Sequence, residues 1–220
     1  MKRLLLASTL SLAAAAPSIA QERGLLDEPP VGKAANTFMV RARAIGVIPL
    51  NSSSSITAIG GRVETSNAAA PELDFSYFVT DNVALELIAA TTKHDLYAAG
   101  SALGAGSVRV GSTWVLPPTL LLQYHFMPKE RFSPYVGAGL NVSFFYGTTA
   151  APGIASVSMG NNVGAALQAG FDYNIAGNWF LNADIKQIFV STRASINGGA
   201  VVAKTALNPL VIGAGVGYRF

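Results

Sequence analysis

Apolar and polar residues alternate along most of this chain. At its end, Leu210, Ile212, Ala214, Val216, Tyr218 and Phe220 fall on one side, and Val211, Gly213, Gly215, Gly217 and Arg219 on the other. A period of two is the signature of a β-strand. The same period recurs in seven earlier segments: 36–48, 72–79, 83–92, 115–126, 134–146, 162–173 and 179–192. Eight strands are therefore expected, each long enough for the roughly 9–11 residues that a tilted membrane-crossing strand needs. Pro117 and Pro118 are expected at the start of the fourth, where a missing N–H donor is tolerated.

The connections alternate too. Short turns are expected at 80–82, 127–133 and 174–178, the first marked by Asp81-Asn82. Longer loops are expected at 49–71, 93–113, 147–161 and 193–204. Short turns on one side and long loops on the other are the habit of an outer-membrane barrel. An even strand number places both ends of the barrel on the short-turn, periplasmic side. The fold expected is all-β: an eight-stranded antiparallel transmembrane β-barrel.

Charge sorts between the two rows. The row ending in aromatics carries no Asp, Glu, Lys or Arg in any strand, whereas the other carries Arg41, Arg43, Lys186, Arg219, Asp74, Glu86, Asp172 and Asp184. A charge facing lipid at mid-depth costs about 2–4 kcal/mol, so the charged row is expected inside. Tyr77, Tyr124, Phe126, Phe171, Tyr173, Trp179, Tyr218 and Phe220 cluster at the periplasmic strand ends, and Phe144, Tyr146 and Phe189 at the other, as two interfacial girdles. A soluble barrel would need its polar row outside, and it fails on that point.

Composition narrows the picture. The chain is 50% hydrophobic and only 12% charged, against about 25% charged in an ordinary soluble domain. Lys2 and Arg3, the apolar run 4–16 and the small-residue site Ser18-Ile19-Ala20 read as a secretory signal peptide over 1–20. Residues 21–35, with Pro29-Pro30, read as a periplasmic lead-in, and 36–220 as the barrel. Loss of Lys2 and Arg3 with the leader leaves 13 basic against 12 acidic residues. The basic pI therefore gives no reason to expect a nucleic-acid partner, and basic residues do not interleave with aromatics as that would need. The 22 glycines and absence of cysteine exclude a disulfide scaffold and cysteine chemistry.

Catalysis finds little support. The two histidines are His94, expected as a solvated residue at a loop edge, and His125, expected at the inner periplasmic rim. Neither pairs with a lipid-facing serine and acid as nucleophilic catalysis requires. Carboxylates scattered over different strands make no metal-binding spacing. Gly100–Gly106 lacks the Lys-Ser/Thr of a phosphate loop. No enzyme, metal or cofactor is expected.

Taken by height, the inner row predicts a lumen in two parts. Arg41, Arg43, Glu86, Asp172, Asp184, Lys186 and Arg219 would form a plug toward the periplasm, on an inner row whose charges balance once Asp74 is counted, with Gly213, Gly215 and Gly217 leaving room for the arginines. Ile88, Ala90, Leu121, Phe145, Ile188 and Val211 would line an apolar upper lumen, open upward to a small hydrophobic ligand that leaves sideways into lipid. The alternative is a structural, adhesion or receptor barrel whose extracellular loops carry the function.

Several stretches resemble one family, that of outer membrane protein W: 80–91 (TDNVALELIAAT), 116–126 (LPPTLLLQYHF), 134–141 (PYVGAGLN), Asn178-Trp179, Asn208-Pro209 and the closing Gly217-Tyr-Arg-Phe220. The resemblance spans essentially all of the mature chain. It implies an eight-stranded barrel in the outer membrane of a Gram-negative-type bacterium, with a narrow hydrophobic interior that binds or passes small hydrophobic molecules. It also implies that Tyr218 and Phe220 form an assembly signal read by the barrel-insertion machinery. Outer-membrane lipid is the expected surrounding, and the reading leaves room for a homo-oligomer.

Overall fold

The structure, a computed structural model, describes residues 31–220 apart from Ser52 and Ala105. The expected leader, and the lead-in up to residue 30, lie outside the described residues. The strands in chain order are β1 (Phe38–Ile48), β2 (Ser53–Ile56), β3 (Arg62–Thr65), β4 (Ala68–Phe78), β5 (Val83–Ala90), β6 (Thr92–Ala99), β7 (Ser107–Leu116) and β8 (Thr119–His125). There follow β9 (Phe132–Ala150), β10 (Val157–Met159), β11 (Asn162–Ala176), β12 (Trp179–Ile188), β13 (Ser191–Ile196), β14 (Val201–Ala206) and β15 (Leu210–Arg219). One 3-10 turn, Asn197–Gly199, joins β13 to β14.

Eight of these strands close into an antiparallel barrel in the order β1, β4, β5, β8, β9, β11, β12, β15. The opening and closing strands seal it: Met39 pairs with Arg219 and Ile48 with Leu210 through an unbroken register. Closure pairs every stave with two neighbours, the condition a sheet must meet to cross a bilayer, and leaves one local gap in the ladder, between β5–β6 and β7–β8. The apolar row points outward as expected; Leu140 is 62% and Val163 64% exposed. Arg41, Asp74, Glu86 and Asp172 on the other row are wholly buried.

The long connections are the chief departure from expectation. Three of the four are largely strand rather than loop, and the third continues one stave before a short strand. Residues 92–99 and 107–116 form the β6–β7 hairpin, which β3 joins at one edge. β9 runs 19 residues and pairs with β7 above the membrane-spanning part. β10, β13, β14 and β2 make a separate four-stranded sheet. This extracellular structure has its own apolar core, including Ile56, Val63, Leu96, Val110, Val157 and Ile196. Pro71 was expected to precede the second strand and instead lies within β4. It pairs with Ala44 of β1, while the ladder to β5 begins only at Glu72, so the missing N–H faces a side without a ladder partner.

Pro117 and Pro118 likewise divide a strand, separating β7 from β8. The ladder between these strands and β5–β6 stops at Ile88 opposite Thr119 and resumes at Thr92 opposite Val115. Residues 89–91 and 116–118 are unpaired across this seam. Two consecutive residues without N–H groups cannot donate to it.

Glycines serve two purposes. At Gly213 and Gly217 an added Cβ would press on Asp184, Ile45 or Arg41 side chains, so these positions leave room for the charged layer. At Gly139, Gly164 and Gly215 it would collide with the carbonyl oxygens of Leu120, Phe189 and Ala42. Gly215 therefore serves close approach of β15 to β1 rather than space for an arginine.

Candidate functional site

The lumen is layered. At the periplasmic base Met39, Phe78, Ala84 and Phe180 form a small apolar cluster. Above it lies a charged layer built from alternate residues of β1, β4, β5, β11 and β12. Arg41 donates to Asp172 through Nε at 2.9 Å and Nη2 at 2.8 Å, and its Nη1 reaches Ser76 at 2.6 Å and Glu86 at 3.1 Å. Arg43 meets Asp74 at 2.6 Å, Asp184 at 2.7 Å and Glu72 at 2.9 Å. Lys186 joins Glu72 at 2.7 Å and Asp184 at 3.1 Å.

Amides stitch the two halves together. Asn182 accepts from Arg43 and donates to Asp172. Gln123 donates to Glu86 and Gln168, and Gln168 donates to Asp184. Buried charges persist only when paired and hydrogen-bonded; the mesh pairs every charge, but Asp74 is held by its ion pair with Arg43 alone and accepts no hydrogen bond. In a bore that side chains nearly fill, the mesh occupies the periplasmic part of the lumen.

Three members lie outside the expected plug: Lys33, Glu72 and Asp74, the last expected on the inner row but not in the plug. Lys33, from the segment before β1, enters the base of the barrel and is 1% exposed. Its ammonium donates to Asp172 and Ser133, each at 2.8 Å, and to Nδ1 of His125 at 3.0 Å. Glu72 bridges Arg43 and Lys186. Arg219, expected in this set, lies instead at the periplasmic rim. It donates to the Gly32 carbonyl and to Asn178 and so pins the segment that carries Lys33. Among the described residues the buried layer holds Lys33, Arg41, Arg43 and Lys186 against Glu72, Asp74, Glu86, Asp172 and Asp184. With all groups ionised it is one negative charge in excess, not balanced.

Above the charges the lumen turns apolar. Ile45, Val47, Ile88, Ala90, Leu121, Ala166, Ile188, Val190 and Val211 form one buried cluster with Phe145 packed against it. Inside this ring is a chamber with about 70 Å³ for the centres of water-sized molecules. One water needs roughly 10–15 Å³ on that measure, so a slender molecule fits and a wide one does not. Ile88, Ala90, Phe145, Ile188 and Val211 border the chamber; Leu121 belongs to the cluster without bordering it. Glu72 and Lys186 form its floor. Leu96 and Met159 border it where the extracellular core begins. Ala90, Thr92 and Pro117 border it at the unpaired seam.

His94 corrects the expectation of a solvated residue. It is 4% exposed on the chamber wall, with Nδ1 2.7 Å from the Ser66 carbonyl and Nε2 2.9 Å from the Thr92 hydroxyl. The carbonyl can only accept, so Nδ1 carries the proton and Thr92 donates to Nε2. Burial holds this imidazole below its ordinary pKa. The reason it was misplaced is that Thr92, His94, Leu96 and Ala98 continue the inward row of β5 past Thr91.

Comparison with known proteins places this geometry. The model of the OmpW family matches residues 34–220. An uncharacterized outer-membrane protein, y4mB, of Sinorhizobium fredii is 42% identical over 89% of this chain and 88% of its own. Outer membrane protein W of Vibrio cholerae is 34% identical over 83% of this chain and 88% of its own. The crystal structure of OprG from Pseudomonas aeruginosa superposes with a TM-score of 0.79 at 28% identity, covering 86% of this chain and 98% of that one. Family and fold are those of an outer-membrane barrel. The chain belongs to the OmpW family of the Gram-negative outer membrane.

Proposed function

We propose that the chamber takes up slender, uncharged, apolar molecules and releases them sideways through the seam beside Pro117 and Pro118. The observation that carries this reading is the meeting of three features at one height: an apolar ring, a charged floor and an unpaired wall. The apolar ring favours an apolar guest through loss of water-exposed surface, about 25 cal/mol per Å². The floor, closed by the Glu72–Lys186 ion pair, denies passage to the periplasm. The remaining way out is the seam, where strand separation breaks no ladder bond between 89–91 and 116–118. Ile88, Ala90, Phe145, Ile188 and Val211 are the guest-binding residues in this reading, with Leu121 as packing behind them.

The exposed Phe220, edge-to-face with Tyr218 at 4.9 Å between ring centroids, supports the assignment of these two residues as the assembly signal. Each barrel encloses its own chamber, so a homo-oligomer is not required.

The test is transfer of an alkane or small arene into vesicles carrying the protein. Ile188→Trp, which fills the chamber, should abolish protein-dependent transfer. Pro117→Val with Pro118→Val should let the seam pair and slow release while leaving binding intact. Transfer equal to that of protein-free vesicles would overturn the proposal. Unchanged release from the double valine variant would move the exit elsewhere.

A further inference from the structure

The extracellular sheet holds a pair of cations that the fold does not neutralise. Arg193 on β13 and Lys204 on β14 are direct register partners, and both point outward into solvent. Like charges directly opposite each other on neighbouring strands destabilise a sheet. Among the described residues the other basic side chains have partners. Arg62 pairs with Glu64, Arg109 with Asp95 and Lys129 with Asp81, while Lys93 sits 5.8 Å from the Trp114 ring centre. Arg193 and Lys204 have no carboxylate within ion-pair distance among the described residues.

Their surroundings suit an oxyanion. The cross-strand row continues from Lys204 to the exposed Ser55 on β2. On the other side Gly160 donates its N–H to the Arg193 carbonyl, leaving no side chain to screen the guanidinium. The shallow concavity that holds the pair is bordered also by Asn161 and Asn162, and by no acidic residue. An arginine fork, an ammonium and a hydroxyl on one row are the donors that phosphate recognition uses.

Height identifies the source of the phosphate. Phe189, exposed in the upper aromatic girdle, is four residues before Arg193. At about 3.3 Å per residue and a tilt of roughly 35–45°, the pair stands about 10 Å above that girdle. This is the level of the outer leaflet's phosphorylated glycolipid headgroups, above the interface where aromatic rings settle. We propose that Arg193 and Lys204 form a binding site for a phosphate group of an outer-leaflet glycolipid, and that this anion relieves their mutual repulsion.

The experiment uses the full chain in zwitterionic nanodiscs, titrated with a bisphosphorylated diglucosamine lipid, with the same lipid after dephosphorylation, and with inorganic phosphate. At about fivefold per basic side chain near an anionic surface, the phosphorylated lipid should bind roughly thirtyfold more tightly than the dephosphorylated one. Arg193→Gln with Lys204→Gln should erase that preference. Lys204→Glu should also erase it, yet raise the unfolding temperature in phosphate-free detergent, because it gives Arg193 a partner. Equal binding of both lipids, a preference that survives the double glutamine variant, or saturable inorganic phosphate binding of the same strength would each overturn the proposal.

Discussion

Asp172 is the hub of the lower plug, and its neutral isostere is the sharpest test of that layer. Its two oxygens accept from Arg41 at 2.9 and 2.8 Å, from Lys33 at 2.8 Å and from Asn182 at 2.9 Å. Asp172→Asn keeps the size of the side chain but replaces one acceptor by an N–H donor aimed at other donors. Lys33 then loses its sole ion pair among the described residues, and Arg41 retains Glu86 alone. Removing one partner from a buried pair costs about 3–5 kcal/mol, roughly a hundred- to several-thousandfold in the folding equilibrium. Urea unfolding of the barrel in lipid vesicles, followed by tryptophan fluorescence and by heat-modifiable migration on gels, reads this directly. Adding Lys33→Met should recover part of the loss, because it removes the stranded ammonium. A loss under about 1 kcal/mol for Asp172→Asn, or strict additivity with Lys33→Met, would refute the plug as a coupled network.

Other consequences follow from the same geometry. In planar bilayers the native protein should show no steady ion conductance, whereas Arg41→Ser with Glu86→Ser should open a water path through the layer that Arg41 and Glu86 now fill. Burial lowers the His94 pKa, so as pH falls below the unfolded imidazole's ordinary value of about 6.5 the unfolded chain takes up the proton first. Stability should therefore decline with acidification through that range, and His94→Gln should flatten the decline in a pH series of urea unfolding curves. Gly139→Val places a side chain against the Leu120 carbonyl and should abolish the compact, heat-modifiable form on gels.

Much of this was written in the sequence's alternation. The charge-free outward row fixed which face meets lipid, the strand count followed from the recurring period of two, and the alternation of long and short connections gave which end faces the periplasm. What the pattern missed had physical causes. Lys33 lies in a polar segment without periodicity, and only the depth of its insertion reveals its role. The extracellular strands carry Gly, Ser and Thr at a density that reads as loop, although Leu96, Ala98 and Val110 are inward and buried there. Pro71 and the Pro117-Pro118 pair looked like strand boundaries. Pro71 instead lies inside β4, and Pro117-Pro118 does part β7 from β8, but in both places the wall continues and lacks a ladder on one side. His94 followed the inward row past Thr91, a continuity that the neighbouring Lys93 and Asp95 obscured.

The chamber itself can be read by its isoleucines. Ile45, Ile88 and Ile188 face inward and border it, while Ile185 and Ile212 face lipid. With methyl-labelled protein in deuterated lipid, an added protonated alkane should give nuclear Overhauser contacts to Ile45, Ile88 and Ile188, and Ile188→Trp should remove those to Ile45 and Ile88. Contacts confined to Ile185 and Ile212 would show that the alkane stays in the bilayer, and would contradict a guest-binding lumen.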